Sequence, residues 1–280
     1  MADKLRLVFR LWRLQAWMDY QWFTQDRLGC LLCVFSDTLG SISSIGGILL
    51  LSARFEGVGG WSFDEILWML GFFTLADGLT YMLFGGYNVL NISRRVGRGQ
   101  VDHMLIQPVP LWMQLLTGGF MPLSGNSPFI VGLALTICAG VRLRLAVTPG
   151  FVLLLCVCLL ARMAIALGLS YSAGAAAFYR PAACEELSSL VLDTLNALGK
   201  YPLPSIPDWA LYGLCTLVPI APMAYMPCLV LLGKTGTLGA YLSAATGAAL
   251  CALAAHLFRK GLKHYALNGV GRYRGLGHRG

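Results

Sequence analysis

Hydrophobic positions along this chain come in long unbroken runs, without the alternation of a half-buried strand. Five such runs, near residues 28–53, 63–87, 125–142, 148–178 and 236–258, carry very few charges. Crossing ~30 Å of hydrocarbon takes about 20 apolar residues, so each run predicts a transmembrane helix. A sixth apolar region, 208–233, is broken by Pro219, Pro222 and Pro227. It predicts a kinked or re-entrant span, which is tolerated where protein or a cavity covers the freed backbone groups. The pattern therefore predicts an all-α, polytopic membrane protein with six transmembrane helices. Continuous runs argue against a β-barrel, whose strands alternate.

The polar positions add detail at the ends of the spans. Residues 4–23, KLRLVFRLWRLQAWMDYQWF, put Arg6, Arg10 and Arg13 on one helical face and Leu7, Leu11, Leu14 and Met18 on another. Trp12, Trp17 and Trp22 suit the headgroup layer. This predicts an amphipathic helix over 1–27 lying on the membrane surface, with lipid as its partner. The link 54–62 holds GVGGW, a Gly-rich turn ending on Trp61. KYPLPSIP, 200–207, cannot be a regular helix because of its prolines.

Composition agrees with the pattern. Of 280 residues, 57% are hydrophobic and 12% charged, about half the charge of an ordinary soluble domain. With the N-terminus placed in the cytoplasm, sixteen Lys/Arg fall in cytoplasmic segments, among them Arg180 and Lys200 after the fourth span. Four fall outside (Arg54, Arg142, Arg144 and Lys234), and Arg162 lies within a span. This bias predicts both termini inside and accounts for the net charge of +8 without nucleic acid. The first apolar run starts too late and runs too long for a cleavable signal peptide. Nine scattered cysteines read as small core hydrophobes; Cys30 and Cys33 form a CxxC with no second pair or nearby His to complete a zinc site.

Two motifs fail on inspection. GKTG, 233–236, lacks the Gly that a phosphate loop needs five residues earlier, where Cys228 stands, and a span precedes it instead of a strand. The tail sequence GVGRYRG fails the dinucleotide pattern for the same want of a strand. No catalytic or metal-ligating constellation appears among the four histidines. Two rival classes keep distinguishing marks of their own. A secondary transporter shows internal repeats and works alone, and a membrane-embedded enzyme shows a catalytic cluster at one interface.

Several segments together carry a resemblance: GGWSFDEIL (59–67), RRVGRGQVDHMLIQPVPLWMQLL (94–116), KYPLPSIPDW (200–209), LVPIAPMAYMPCLVLLGK (217–234) and FRKGLKHY (258–265). In this order, over nearly the whole chain, they resemble the six-span permease subunits of bacterial ABC-2 type transporters. The chain departs from that pattern at AAAFYRPAACEE, 175–186. The resemblance implies a type V exporter-like fold in one domain, 1–280. Its parts are six spans within 28–258, a cytoplasmic coupling helix within 91–110 and a cytoplasmic tail, 259–280. It further implies an inner-membrane exporter subunit that pairs with a second permease, either a copy or a paralogue. The implied partner is a separate ABC ATPase that binds the ATP, so no cofactor is expected on this chain.

Within that picture the loop after the second span is where the ATPase docks, through Arg95, Gly99, Val101, Asp102, Met104, Leu105 and Pro108. The residues make the same suggestion. Gly97 and Gly99 break the incoming helix, Gln100–Gln107 can form two turns, and Pro108 ends them. Asp102 favours the dipole near the helix start, and Val101, Met104 and Leu105 share a face suited to a partner's groove. Small residues in GSISSIGG, 40–47, permit close helix approach, either inside the chain or at a permease–permease seam. Asp37, Asp77 and Arg162 fall inside predicted spans. At ~1.5 Å per residue Asp37 and Asp77 lie roughly 14 and 15 Å from the cytoplasmic ends of their spans and Arg162 roughly 21 Å in from the outer end of its own, hence at a similar level. This predicts a cluster in which Arg162 pairs one or both aspartates, as a structural pair or as part of a translocation cavity.

Overall fold

The structure, a computed structural model, describes residues 2–55, 57, 59–85, 92–93, 95–181, 184, 194, 197–200, 213 and 219–269. Among them no extended strand occurs. The helices are α1 (Ala2–Gln25), α2 (Arg27–Arg54), α3 (Phe63–Phe84), α4 (Gln100–Leu105), α5 (Leu111–Thr117), α6 (Ser127–Arg142), α7 (Pro149–Ala175), α8 (Met226–Leu231) and α9 (Leu238–Asn268). A short 3₁₀ turn, Ala176–Phe178, extends α7, and a π-helical turn, Ala221–Tyr225, precedes α8.

Four helices are long and apolar enough to cross a membrane: α2, α3, α7 with its 3₁₀ extension, and α9. The other two expected spans correspond to shorter apolar helices, Ser127–Arg142 and Ala221–Leu231. The second of these carries Pro222 in its π turn and Pro227 at the start of α8. A proline removes one backbone donor and crowds the preceding turn, and widening to a π turn is one way a helix absorbs this. Most of the proline segment KYPLPSIP, and the start of the fifth expected span, lie outside the described residues.

Local chemistry sets the helix starts. Asp26 alone separates α1 from α2, and its carboxylate accepts from Gly29 N at 2.9 Å, capping α2. Ser62 and Glu65 form a reciprocal capping box at the start of α3. Thr148 caps α7, with Pro149 in the first turn, where its missing N–H costs nothing. In the turn before α3, Gly57 has φ +120°, and a Cβ there would meet the carbonyl oxygen of Trp61 at 2.0 Å. Two ion pairs close this end of the bundle: Arg142 with Asp64, and Lys234 Nζ with Glu65 at 2.8 Å. The lysine of GKTG is thereby engaged, and it also lies over the Trp61 ring.

Helix α3 is buried on nearly every side, whereas α2 turns Leu28, Leu31, Phe35, Leu39, Ile42 and Leu50 outward. Glycines let helices approach at two seams. A Cβ on Gly78 would meet Phe129 N at 2.2 Å, and one on Gly132 would meet Leu75 N at 2.1 Å, so α3 and α6 are in backbone contact. The α7–α9 seam uses Gly168 and Gly247 in the same way, against Leu250 and Ala164. The GSISSIGG segment behaves differently, because a Cβ at Gly40, Gly46 or Gly47 has nothing within 4 Å. Among the described residues these three glycines make no close helix approach, while Ile45 between them is buried in the core.

The face of α1 that packs on the rest of the chain is a different one from the leucine face assigned to lipid. Leu14 and Met18 are exposed, and Asp19 is buried. The Asp19 carboxylate accepts from Leu123 N at 2.7 Å and Ser124 N at 3.2 Å, and from the Ser124 hydroxyl. Trp12 lies on the same side, against Phe84 and Phe120. A carboxylate that satisfies three donors anchors a helix more firmly than interchangeable leucines do.

Candidate functional site

The loop helix α4 is built by backbone geometry. Gly97 is still helical, and the break falls at Gly99 alone, whose φ of +71° is left-handed. The helix ends at Leu105, earlier than Gln107, and residues 106–109 form turns and bends. Gln114 Nε2 donates to the carbonyls of Met104 at 2.8 Å and Val109 at 2.6 Å, so α5 holds the far end of the loop.

The face shared by Val101 and Met104 turns into the chain's own core, and Leu105 alone of the three is exposed. Val101 is 0% exposed and packs with Ile92, Val96, Leu111, Phe178, Phe258 and Tyr265 in the chain's own core. In a six-residue helix held by α5 and α9, one side must face its own protein, and Val101 takes that side. Met104 is half-buried, 3.9 Å by its Sδ from Arg95 Nη1. Asp102 accepts from the Tyr265 hydroxyl at 2.7 Å. Burial pulls the Arg95 guanidinium below its ordinary value, with the neighbouring Tyr171 acting the other way. Leu105, at 40% exposure, and Ile106, at 82%, project outward together, beside exposed Pro108. Ile106 was legible in the sequence as the apolar residue wedged between Leu105 and Gln107–Pro108. Helical spacing from Val101 drew attention elsewhere.

The second site lies between the long helices. Arg162 on α7 is 0% exposed, and its Nη2 is 3.5 Å from Asp77 Oδ1 on α3. Its guanidinium carbon lies 4.7 Å from the Phe73 ring centroid. Nε and Nη1 have no hydrogen-bond partner among the described residues. Asp77, by contrast, is 45% exposed and lines a cavity of about 460 Å³ together with Asp37, Ser41, Ser44, Phe73 and Thr74. The three charges predicted at one level are thus placed as an Arg162–Asp77 pair with Asp37 across a cavity, and no Arg162–Asp37 contact forms.

A fourth charge joins them. Lys200, expected in a cytoplasmic segment, lines the same cavity. Its Nζ is 3.2 Å from Ser44 Oγ and 5.9 Å from the Phe73 centroid. The Lys/Arg count that sets topology cannot tell a lysine in open solvent from one on a cavity wall.

No curated protein and no solved structure matched the chain. A family described as ABC-2 family transporter protein matches residues 41–269, which takes in α3, the loop helix, the Asp77–Arg162 pair, Lys200 and α9. The chain belongs to the ABC-2 family of transporter proteins and is a membrane permease of that type.

Proposed function

We propose that this chain is the membrane-spanning permease subunit of an ATP-binding cassette exporter. In this reading it sits in the bacterial inner membrane with both termini cytoplasmic, coupled through its 92–110 loop to a separate ATPase subunit that binds and hydrolyses ATP. The observation that carries the reading is the family match over 41–269. The outward-facing Leu105, Ile106 and Pro108 support docking at the loop, since an exposed apolar pair on a short helix held by α5 and α9 suits a partner's groove. The six spans of the proposal are the four long helices with the two shorter ones. Helix α6, 16 residues long, rises about 24 Å and is continued by its flanking turns.

The assembly proposed is two permeases with two ATPases. Support comes from α2, where Gly46 and Gly47 have no described side chain or backbone within 4 Å of a Cβ and outward apolar side chains lie nearby, as a close helix–helix seam requires. A cysteine at position 106 provides the test, with cross-linking to an ABC ATPase co-expressed from the neighbouring reading frame. A cross-link at 106 and none at buried 101 is the expected result. An intact complex that cross-links at neither position overturns the docking site.

A further inference from the structure

We propose that the cavity between α2, α3 and Lys200 recognises an amphoteric ligand, one molecule carrying both a protonated amine and an acid group. The inference begins with charge accounting. Arg162 and Asp77 already pair at 3.5 Å. That leaves Asp37, half-buried on α2, with no cation in ion-pair or hydrogen-bond reach among the described residues, and Lys200, whose Nζ donates to the neutral Ser44 hydroxyl. Both line the same cavity. Among the described residues, one wall therefore offers Asp37 with no cation in reach and another offers Lys200, which shares the attraction of Asp77 with Arg162, at a depth where ionisable groups are costly.

Other features point to an occupant. The Thr74 hydroxyl lines the cavity, is 7% exposed and has no hydrogen-bond partner among the described residues. A buried hydroxyl without a partner is costly, and a ligand polar group would satisfy it. The volume, about 460 Å³, falls within the range of small-molecule sites. The Phe73 ring gives the ligand's apolar body a surface. A purely cationic ligand would satisfy Asp37 and oppose Lys200, and a purely anionic one the reverse. Only a ligand with both charges matches both walls.

The proposal rests on the permease reading for its purpose but not for its measurement, because binding needs no ATPase. The chain, purified into phosphatidylglycerol nanodiscs, is titrated calorimetrically with phenylalanyl-phenylalanine, with its C-terminal amide and with its N-acetyl derivative. These present both charges, the amine alone and the carboxylate alone on one apolar body. The dipeptide is expected to bind at least about tenfold more tightly than either derivative, since a site built for a polar group strongly rejects the analogue lacking it. Asp37→Asn is expected to erase the advantage over the N-acetyl form, and Lys200→Gln the advantage over the amide. Equal affinity for the three, or binding of none, overturns the proposal with wild-type protein alone, whatever the variants do to folding. Phosphatidylethanolamine carries the same pair of charges, so adding it separates the sources: competition with the dipeptide assigns the site to a lipid headgroup, and no competition to a soluble ligand. Equal affinities with an intact ATPase cross-link reject the ligand class and leave the docking reading standing; discrimination without a cross-link keeps the ligand class and rejects the docking site.

Discussion

The Tyr265 hydroxyl donates a 2.7 Å hydrogen bond to Asp102 Oδ1, fastening the far end of α9 to the loop helix 163 residues earlier in the chain. Asp102 thus has a second task besides favouring the start of α4. It ties the loop helix to the longest described helix, so that, in the docking reading proposed above, a push on Leu105 and Ile106 would be carried into the bundle. Tyr265→Phe is expected to lower transport per ATP hydrolysed while leaving ATPase retention intact. A hydrogen bond to a charged group contributes about 1.5–3 kcal/mol. In a double-mutant cycle, Asp102→Ala with Tyr265→Phe should be little worse than Asp102→Ala alone. Fully additive losses would show that the bond carries no coupling.

Exposure separates two kinds of substitution in α4. Ile106→Asp and Leu105→Asp are expected to reduce ATPase co-purification by about tenfold or more, the cost of truncating a hot spot by ~1.4 kcal/mol or above, with unchanged permease yield. Val101→Asp places a charge in the core with Phe178 and Phe258 and is expected to reduce the folded yield itself. Size-exclusion chromatography of the permease, with and without its ATPase, reads both.

The Arg162–Asp77 pair is asymmetric, because the arginine is fully buried and the aspartate is 45% exposed. Asp77→Ala leaves a buried guanidinium without its carboxylate and is expected to cost about 3–5 kcal/mol. Arg162→Met leaves Asp77 facing a cavity with Lys200 on its wall and should cost clearly less. Thermal unfolding in detergent ranks the two. The reverse order would mean that Asp77, and not Arg162, is the group that cannot tolerate loss of its partner.

Glycine substitutions distinguish seams within the chain from open faces. Gly78→Ala and Gly132→Ala force backbone apart between α3 and α6, and are expected to lower folded yield severely. Gly40→Ala and Gly47→Ala meet nothing within 4 Å and should leave yield unchanged. A bulkier Gly47→Leu should weaken permease self-association, as read by native mass spectrometry.

Asp19 anchors α1 through Leu123 and Ser124. Asp19→Ala is expected to release the helix, so that limited proteolysis cuts near Thr24–Arg27 sooner than in the wild type. Unchanged cutting would place the anchoring on Trp12 instead.

Sequence alone determined the helical membrane class, the four long spans, the prolines that bend the segment before α8, the loop helix after α3 and the family resemblance. Each of these is a local signal: run length, a proline's missing donor, a glycine's left-handed φ, a string of motifs. Sequence also placed Asp37, Asp77 and Arg162 at one level, because rise per residue is fixed. Only the tertiary structure decided which face of each helix is covered. It turned Val101 inward and Ile106 outward, left Gly47 exposed while Gly78 and Gly132 made the seam, buried Asp19, and set Lys200 on the cavity wall. The reason is the solvent. In water a buried face is apolar and an exposed one polar, so a pattern reveals burial. In lipid both faces are apolar, and what covers a helix is settled by shape and by the few polar groups that must find one another, information held by pairs of residues far apart in the chain.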